Sequence, residues 1–274
     1  MKENAVRLMP TGISSLDPVI EGGVPPGTLV LLLAEIGAGS TEFVYSSMLN
    51  LSLRTRNPSG DQSAMPAAIR YLTITKMKED IEREITLSFH PDLARGLEGV
   101  TFEDLSSHYF EARVVPVEWY SQANLVERLQ KRKEHGDILT DLATRLNTSK
   151  HRSLVILDSL TDIAVQYAST ENWNELTAFL RGLQRVAKEW NCTLYLLLTR
   201  GILDPQKERE IADTADAVIL FRWEETSAAR RQRIMYFEKF RGLMPHLEEK
   251  DLVKFAVRIS SANGFEVSNI RVVV

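Results

Sequence analysis

The sequence predicts an α/β protein: a mostly parallel central sheet with helices on both faces, extended towards the C-terminus by antiparallel strands. Three observations predict it. Short runs rich in Leu, Val and Ile alternate with longer segments of helical period, the pattern of strands buried on both faces by covering helices. Each run is about strand length and is bounded by polar or turn-forming residues. Beyond Ala217 the chain changes to an apolar/polar alternation, as in antiparallel strands with one wet face.

The elements follow in order. Residues 29–33 form a first core strand, followed by a glycine-rich turn and a helix over 41–53. A second strand spans 69–75, and a helix over 79–89 follows, in which Ile81, Ile85 and Phe89 recur every four residues and so share one face. Pro91 stops it. Strands at 154–157 and 193–199 are separated by a helix over 172–190. Its Leu176, Phe179, Leu180, Leu183, Val186, Ala187 and Trp190 make a broad apolar stripe that belongs to the core. A strand at 217–221 precedes the alternating segments 233–240, 252–259 and 264–274. Two stretches interrupt the rhythm and are expected as surface elaborations. Residues 54–67, with Asn57-Pro58-Ser59-Gly60-Asp61, are polar and turn-forming, hence an exposed loop. Within 121–150, residues 124–147 read as two helices broken near His135-Gly136, the second burying Leu139, Leu142, Ala143 and Leu146. The whole, 1–274, reads as one domain.

Composition narrows the function. An apolar fraction of 44% and a charged fraction of 26% describe an ordinary folded chain. The longest apolar run, 29–34, is far short of the roughly 20 residues that span a bilayer, and the N-terminus lacks an apolar signal core. A cytoplasmic protein that does not enter a membrane is expected. A net charge of -4 gives no basic footprint and argues against nucleic acid as the partner. The five histidines, His90, His108, His135, His151 and His246, are scattered without partners at metal-ligand spacing, so no structural metal is expected. The one cysteine, Cys192, precludes an internal disulfide and reads as a small buried hydrophobe, in keeping with a reducing compartment.

Chemistry is concentrated after the first strand, where Ala34-Glu35-Ile36-Gly37-Ala38-Gly39-Ser40-Thr41 leads into a helix. Strand, glycine loop and helix are the context of the phosphate loop GxxxxGK[ST]. Gly37 and Gly39 let backbone N–H groups turn inward, and the helix N-terminus favours an anion, so residues 35–41 are candidate nucleotide ligands. Thr41 stands where a magnesium-binding hydroxyl belongs. Ala34 replaces the first glycine, and Ser40 replaces the lysine. That lysine reaches the β- and γ-phosphates and offsets charge developing in transfer. Its loss removes about 1.5 to 3 kcal/mol, roughly tenfold to a hundredfold in affinity. The alternative is a tight turn with no ligand.

The flanking residues carry a resemblance. Thr11-Gly-Ile-Ser-Ser-Leu-Asp-Pro-Val-Ile-Glu-Gly-Gly-Val-Pro-Pro-Gly-Thr28 resembles the opening of KaiC-like, RadA-related and other RecA-superfamily proteins, which run TGI-x-x-LD and then GG-[LIV]-P-x-G before the phosphate-loop strand. Ser153-Leu-Val-Ile-Leu-Asp-Ser159 looks like the Walker B strand, and Ala215-Asp-Ala-Val-Ile-Leu220 and Lys239-Phe-Arg-Gly242 resemble the closing strands with their K-x-R-G element. The resemblance runs from about Thr11 onward. It implies a RecA-like fold, ATP or ADP with magnesium as cofactor, Thr41 and, through water, Asp158 as the residues holding the metal with the nucleotide, and Lys239 and Arg241 as contacts to a neighbouring subunit's nucleotide. For those two the alternative is a pair of charges on a solvated strand.

A second departure accompanies Ser40. Where the family's second strand ends in a carboxylate pair that orients the attacking water, this chain has Thr75 and Lys76. Glu79 and Asp80 belong to the start of the next helix, where carboxylates suit the dipole. The two losses together imply a pseudo-ATPase, similar to lysine-less archaeal KaiC-like proteins: a regulatory or scaffolding protein, in signal transduction, with at most weak nucleotide binding and with protein partners or copies of itself. If Lys76 lies near the γ-phosphate, its ammonium replaces some of the charge missing at Ser40. The alternatives are an active Mg-dependent ATPase with a non-standard site and a DNA-binding recombinase paralogue; against the latter, residues 200–210 carry mixed charge and one glycine, unlike a basic flexible DNA loop.

Overall fold

The structure, a computed structural model, describes residues 7–58, 62–111, 114–120, 137–148, 151–169, 171–225 and 230–269. Among these, nine strands join in one sheet: β1 (Leu29–Ala34), β2 (Ile69–Thr73), β3 (Val100–Asp104), β4 (Leu154–Asp158), β5 (Thr193–Thr199), β6 (Ala217–Glu225), β7 (Arg231–Phe240), β8 (Lys254–Ser260) and β9 (Gly264–Asn269). Their order is β3-β2-β4-β5-β1-β6-β7-β8-β9. From β3 to β6 every neighbouring pair is parallel; from β6 to β9 every pair is antiparallel.

Strand alternation divides the core between the two faces. Val30 and Leu32 of β1 pack with Phe43, Val44, Met48 and Ile81 on one side, whereas Leu29, Leu31 and Leu33 pack with Leu142, Ile163, Leu176 and Leu180 on the other, as a period of two requires. The first group comes from helices α1 (Ser40–Arg56) and α2 (Lys78–Ser88). The second comes from α5 (Ile138–Asn147), α6 (Leu160–Gln166) and α7 (Trp173–Trp190), following the short α3 (Pro91–Ala94) and α4 (Ser106–Glu111). Helices α8 (Pro205–Thr214) and α9 (Met244–Glu249) complete the set. None of the described helices is long and apolar enough to cross a membrane.

The differences from the sequence-based expectation have local causes. Strand β2 ends at Thr73, not at residue 75, because the Thr73 hydroxyl donates to the Lys76 carbonyl at 2.8 Å and accepts the Lys76 N–H at 3.1 Å, which turns the chain. Strand β3 was not expected; it is the sheet edge, only partly buried, and has no continuous apolar run. Helix α1 continues to Arg56, into the stretch expected as loop, where Arg56 pairs with Glu98 at 2.5 Å. Helices α6 and α8 add to the expected elements. Each starts with a side-chain cap, Ser159 to the Asp162 N–H and Asp204 to the Gln206 N–H, and α8 has Pro205 in its first turn. In the 121–150 stretch the second helix is α5, capped by Asp137, and Leu139, Leu142 and Leu146 join the core, while Ala143 is half-buried. The first helix, the break at His135-Gly136 and the end of the last strand lie outside the described residues.

Candidate functional site

The parallel strands share one carboxyl edge, the place where open α/β sheets receive ligands, and the glycine loop leaves β1 there. Gly37 has φ 72° and Gly39 has φ 110°, conformations that admit glycine at no steric penalty. Gly39 is the N-cap of α1, and no side chain caps this helix. The Ala38 N–H donates to the Glu35 carbonyl at 3.0 Å and the Phe43 N–H to the Gly39 carbonyl at 2.9 Å. Among the described residues the N–H groups of Gly37, Gly39, Ser40, Thr41 and Glu42 have no hydrogen-bond acceptor. Such a run of donors at a helix N-terminus is an anion nest. A Cβ placed on Gly37 would meet nothing within 4 Å, so the loop borders open space. The half-buried hydroxyls of Ser40 and Thr41 make no hydrogen bond among the described residues.

The loop is braced from its outer side. Glu35, expected as a nucleotide ligand, turns towards β6: its carboxylate accepts the Trp223 backbone N–H at 3.0 Å and lies 3.5 Å from the Arg200 guanidinium. The Trp223 indole N–H donates to the Ile36 carbonyl at 3.2 Å, and Arg233 Nε donates to the Gly37 carbonyl at 3.0 Å. The Ile36 side chain itself is 80% exposed. Two guanidinium groups lie over the Trp223 ring, Arg231 at 4.3 Å and Arg233 at 4.6 Å from its centroid, each attracted to the ring face. Strand pairing creates this stack, since Trp223 of β6 lies opposite Arg233 of β7.

Asp158 ends β4 on the same edge, with β5 between it and β1, so roughly 10 Å of sheet separates the carboxylate from the loop strand. Its buried Oδ2 accepts the Tyr71 hydroxyl at 2.5 Å and the Lys76 ammonium at 3.0 Å. Tyr71 is fully buried on β2, and burial first, then the Asp158 charge, pushes its hydroxyl well above the ordinary tyrosine range, so that it stays a donor. Tyr45 of α1 lies beside it, ring centroids 6.3 Å apart, and donates to Glu84 at 3.0 Å. For Lys76, burial alone would lower the pKa, but Asp158 outweighs it and the net direction is up, so the ammonium remains charged. Ser159 donates to Asp162 at 2.8 Å, and Asp162 is pushed up by burial and by its neighbour Asp158.

Lys76 is therefore engaged with Asp158. Thr41 and Asp158 were expected to hold magnesium with the nucleotide. A hard dication takes oxygen ligands, and Asp158 Oδ2 already serves a phenol and an ammonium. An ion approaching Oδ2 directly would compete with both donors.

Lys239 and Arg241 lie at the other end of the sheet. Phe240 pairs with Ala217, and Ala217 with Val30, at the start of the parallel strands. The Lys239 ammonium donates to the carbonyls of Ala212 and Asp213, at 3.2 and 3.0 Å, where α8 ends, a favourable place for a cation. Burial, then Arg241, lowers its pKa. Arg241 lies 3.4 Å from Asp216, whose buried carboxylate also accepts the Leu29 N–H at 3.1 Å, Gln184 at 2.8 Å and Lys188 at 2.9 Å. Within one chain neither residue reaches the loop.

Tyr45, Tyr71, Trp223, Arg233 and Asp216 were not singled out from the sequence. Tyr71 had a signal, a lone phenol in the buried run Ile69-Arg-Tyr-Leu-Thr73, because a buried tyrosine needs a partner for its hydroxyl. Trp223 and Arg233 had none short of knowing the strand register.

No family model matches the sequence, and no curated protein matches it. Among solved structures, a KaiC-like protein from the hyperthermophilic archaeon Pyrococcus horikoshii is similar over 96% of this chain and 99% of its own, with 20% sequence identity and a TM-score of 0.61. At that identity the likeness is one of fold.

Proposed function

We propose that this chain, which has the KaiC-like RecA fold, is a non-hydrolysing regulatory or scaffolding protein whose glycine loop keeps weak affinity for nucleotide. One observation carries the reading: five N–H groups, from Gly37 to Glu42, lack acceptors among the described residues around a loop of positive φ, yet the position that would supply an ammonium is Ser40. Donors that bind a phosphate remain, and the charge that stabilises its transfer is missing. The turn after β2 offers Thr75 and Lys76 in place of a carboxylate to hold the attacking water. This supports binding without turnover. The single cysteine, Cys192, is buried and supports a reducing, cytoplasmic setting, with protein partners or further copies of the chain as the means of signalling.

Calorimetric titration with ATP and ADP, run beside Ser40→Lys and followed by a phosphate-release assay, tests it. The natural chain is expected to bind roughly tenfold to a hundredfold more weakly than Ser40→Lys and to release no phosphate. Steady ATP hydrolysis that disappears in Thr41→Ala would make it a working ATPase. Absence of any binding would make it a structural module only.

A further inference from the structure

We propose that Lys76 stands in for the divalent cation at Asp158, so that the loop takes its nucleotide, or a related phosphoanion, free of metal. The proposal rests on the loop being an anion site; what it adds is the ionic form of the ligand.

The ion pair is built into the fold. Lys76 Nζ lies 3.0 Å from Asp158 Oδ2, where the carboxylate side chain is 8% exposed and the lysine 41%. The turn that delivers the ammonium is fixed by Thr73, whose hydroxyl bonds both the carbonyl and the N–H of Lys76. The same oxygen takes the Tyr71 hydroxyl, so a metal approaching Oδ2 must displace two donors, one of them fully buried. Glu84 and Asp162 also attract the ammonium, which places three carboxylates around a single positive charge. Removing that charge would leave them mutually repulsive, and the cheapest relief would be a dication.

The ligand chemistry follows. An ammonium carries three hydrogens in a flexible arrangement, and among the described residues Asp158 is the recorded side-chain acceptor for Lys76. Its remaining hydrogens would donate to phosphate oxygens. A metal-chelated nucleotide brings its own dication to a carboxylate that is already neutralised, whereas a metal-free one offers the full phosphate charge to the nest and to Lys76. The site thus favours the unchelated anion.

The test compares calorimetric titrations of the full chain with ADP and ATP in EDTA and in excess magnesium, and adds a measurement that needs no nucleotide: manganese binding followed by electron paramagnetic resonance. In the natural chain, affinity in EDTA is expected to equal or exceed that in magnesium, and manganese is not retained. In Lys76→Gln, affinity in EDTA falls about tenfold, roughly one ion-paired contact, while magnesium now improves it and manganese is retained. Lys76→Arg keeps the charge and the metal-free binding. Circular dichroism confirms that each variant is folded. Binding that requires magnesium in the natural chain, or a magnesium response unchanged in Lys76→Gln, overturns the proposal. Nucleotide binding absent under every condition sinks the loop reading instead, and the manganese titration still decides the role of Lys76: retention by the natural chain overturns it.

Discussion

Tyr71, in the middle of β2, donates its hydroxyl to Asp158 at the end of β4 at 2.5 Å, and so locks two neighbouring strands at the edge where the loop opens. A hydrogen bond to a charged acceptor contributes about 1.5 to 3 kcal/mol. Tyr71→Phe keeps the ring packing against Phe102 and Tyr45 and removes only the donor. Urea unfolding is expected to show a loss of about 1.5 to 3 kcal/mol. A smaller loss than about 0.5 kcal/mol would mean that the bond contributes nothing net.

The two loop glycines separate conformational strain from crowding. Gly37→Ala places a methyl in open space at φ 72° and should destabilise by about 1 to 2 kcal/mol. Gly39→Ala, at φ 110°, also meets Ile259 and Phe265 at 3.4 Å, and the larger loss is expected there. Thermal unfolding of the two variants reads the order directly, and a reversed order would contradict it.

Trp223 reports on the loop because its indole N–H bonds the Ile36 carbonyl while its ring is held by Arg231 and Arg233. Saturating nucleotide is expected to change the tryptophan emission of the natural chain. Trp223→Phe should abolish most of that change although Trp119, Trp173 and Trp190 remain. The same variant loses a neutral hydrogen bond and should bind nucleotide severalfold more weakly, by about 1 kcal/mol.

Acid should loosen the junction of β6, β7 and β8 through Glu224. Burial alone would raise its pKa, but hydrogen bonds from Lys254, Tyr236 and Arg222 outweigh it and hold the carboxyl at about 2, below the ordinary 4.5. A lowered folded-state pKa gives stability that is complete above 4.5 and is lost as the pH falls towards 2. Urea midpoints measured from neutral pH downward should therefore converge for the natural chain and Glu224→Gln below pH 4.5. A constant gap between them would show that Glu224 does not carry the effect.

Much of the fold was legible because buried parallel strands are written as uninterrupted apolar runs. Leu29 to Leu33, Leu154 to Leu157 and Thr193 to Thr199 lie in the sheet where the sequence put them. Strand β3 was not, since Val100 to Asp104 is an edge whose partly wet faces leave no such run. In the site, the glycines and Thr41 were picked out by the spacing of the loop after its strand, and Asp158 by what the resemblance implies. The partners could not: whether Lys76 turns to a phosphate or to Asp158 depends on the β2–β4 register and on the Thr73 turn. Likewise Lys239 and Arg241 carry a pattern that points to a neighbour's nucleotide, while their partners within the chain, the end of α8 and Asp216, are set by how β7 returns beside β6.

The support of the loop helix also bears on how the chain folds. The buried hydroxyl of Ser46 in α1 accepts the N–H of Phe265, 219 residues away, and Phe43 meets Phe265 edge-on at 5.3 Å. Contacts of such long range are paid for in loop-closure entropy before they stabilise anything. Helix α1 and β1 can form early, but their seating waits for β8 and β9. The glycine loop should therefore be among the last parts to gain protection from hydrogen exchange during refolding, long after the parallel strands beside it have closed.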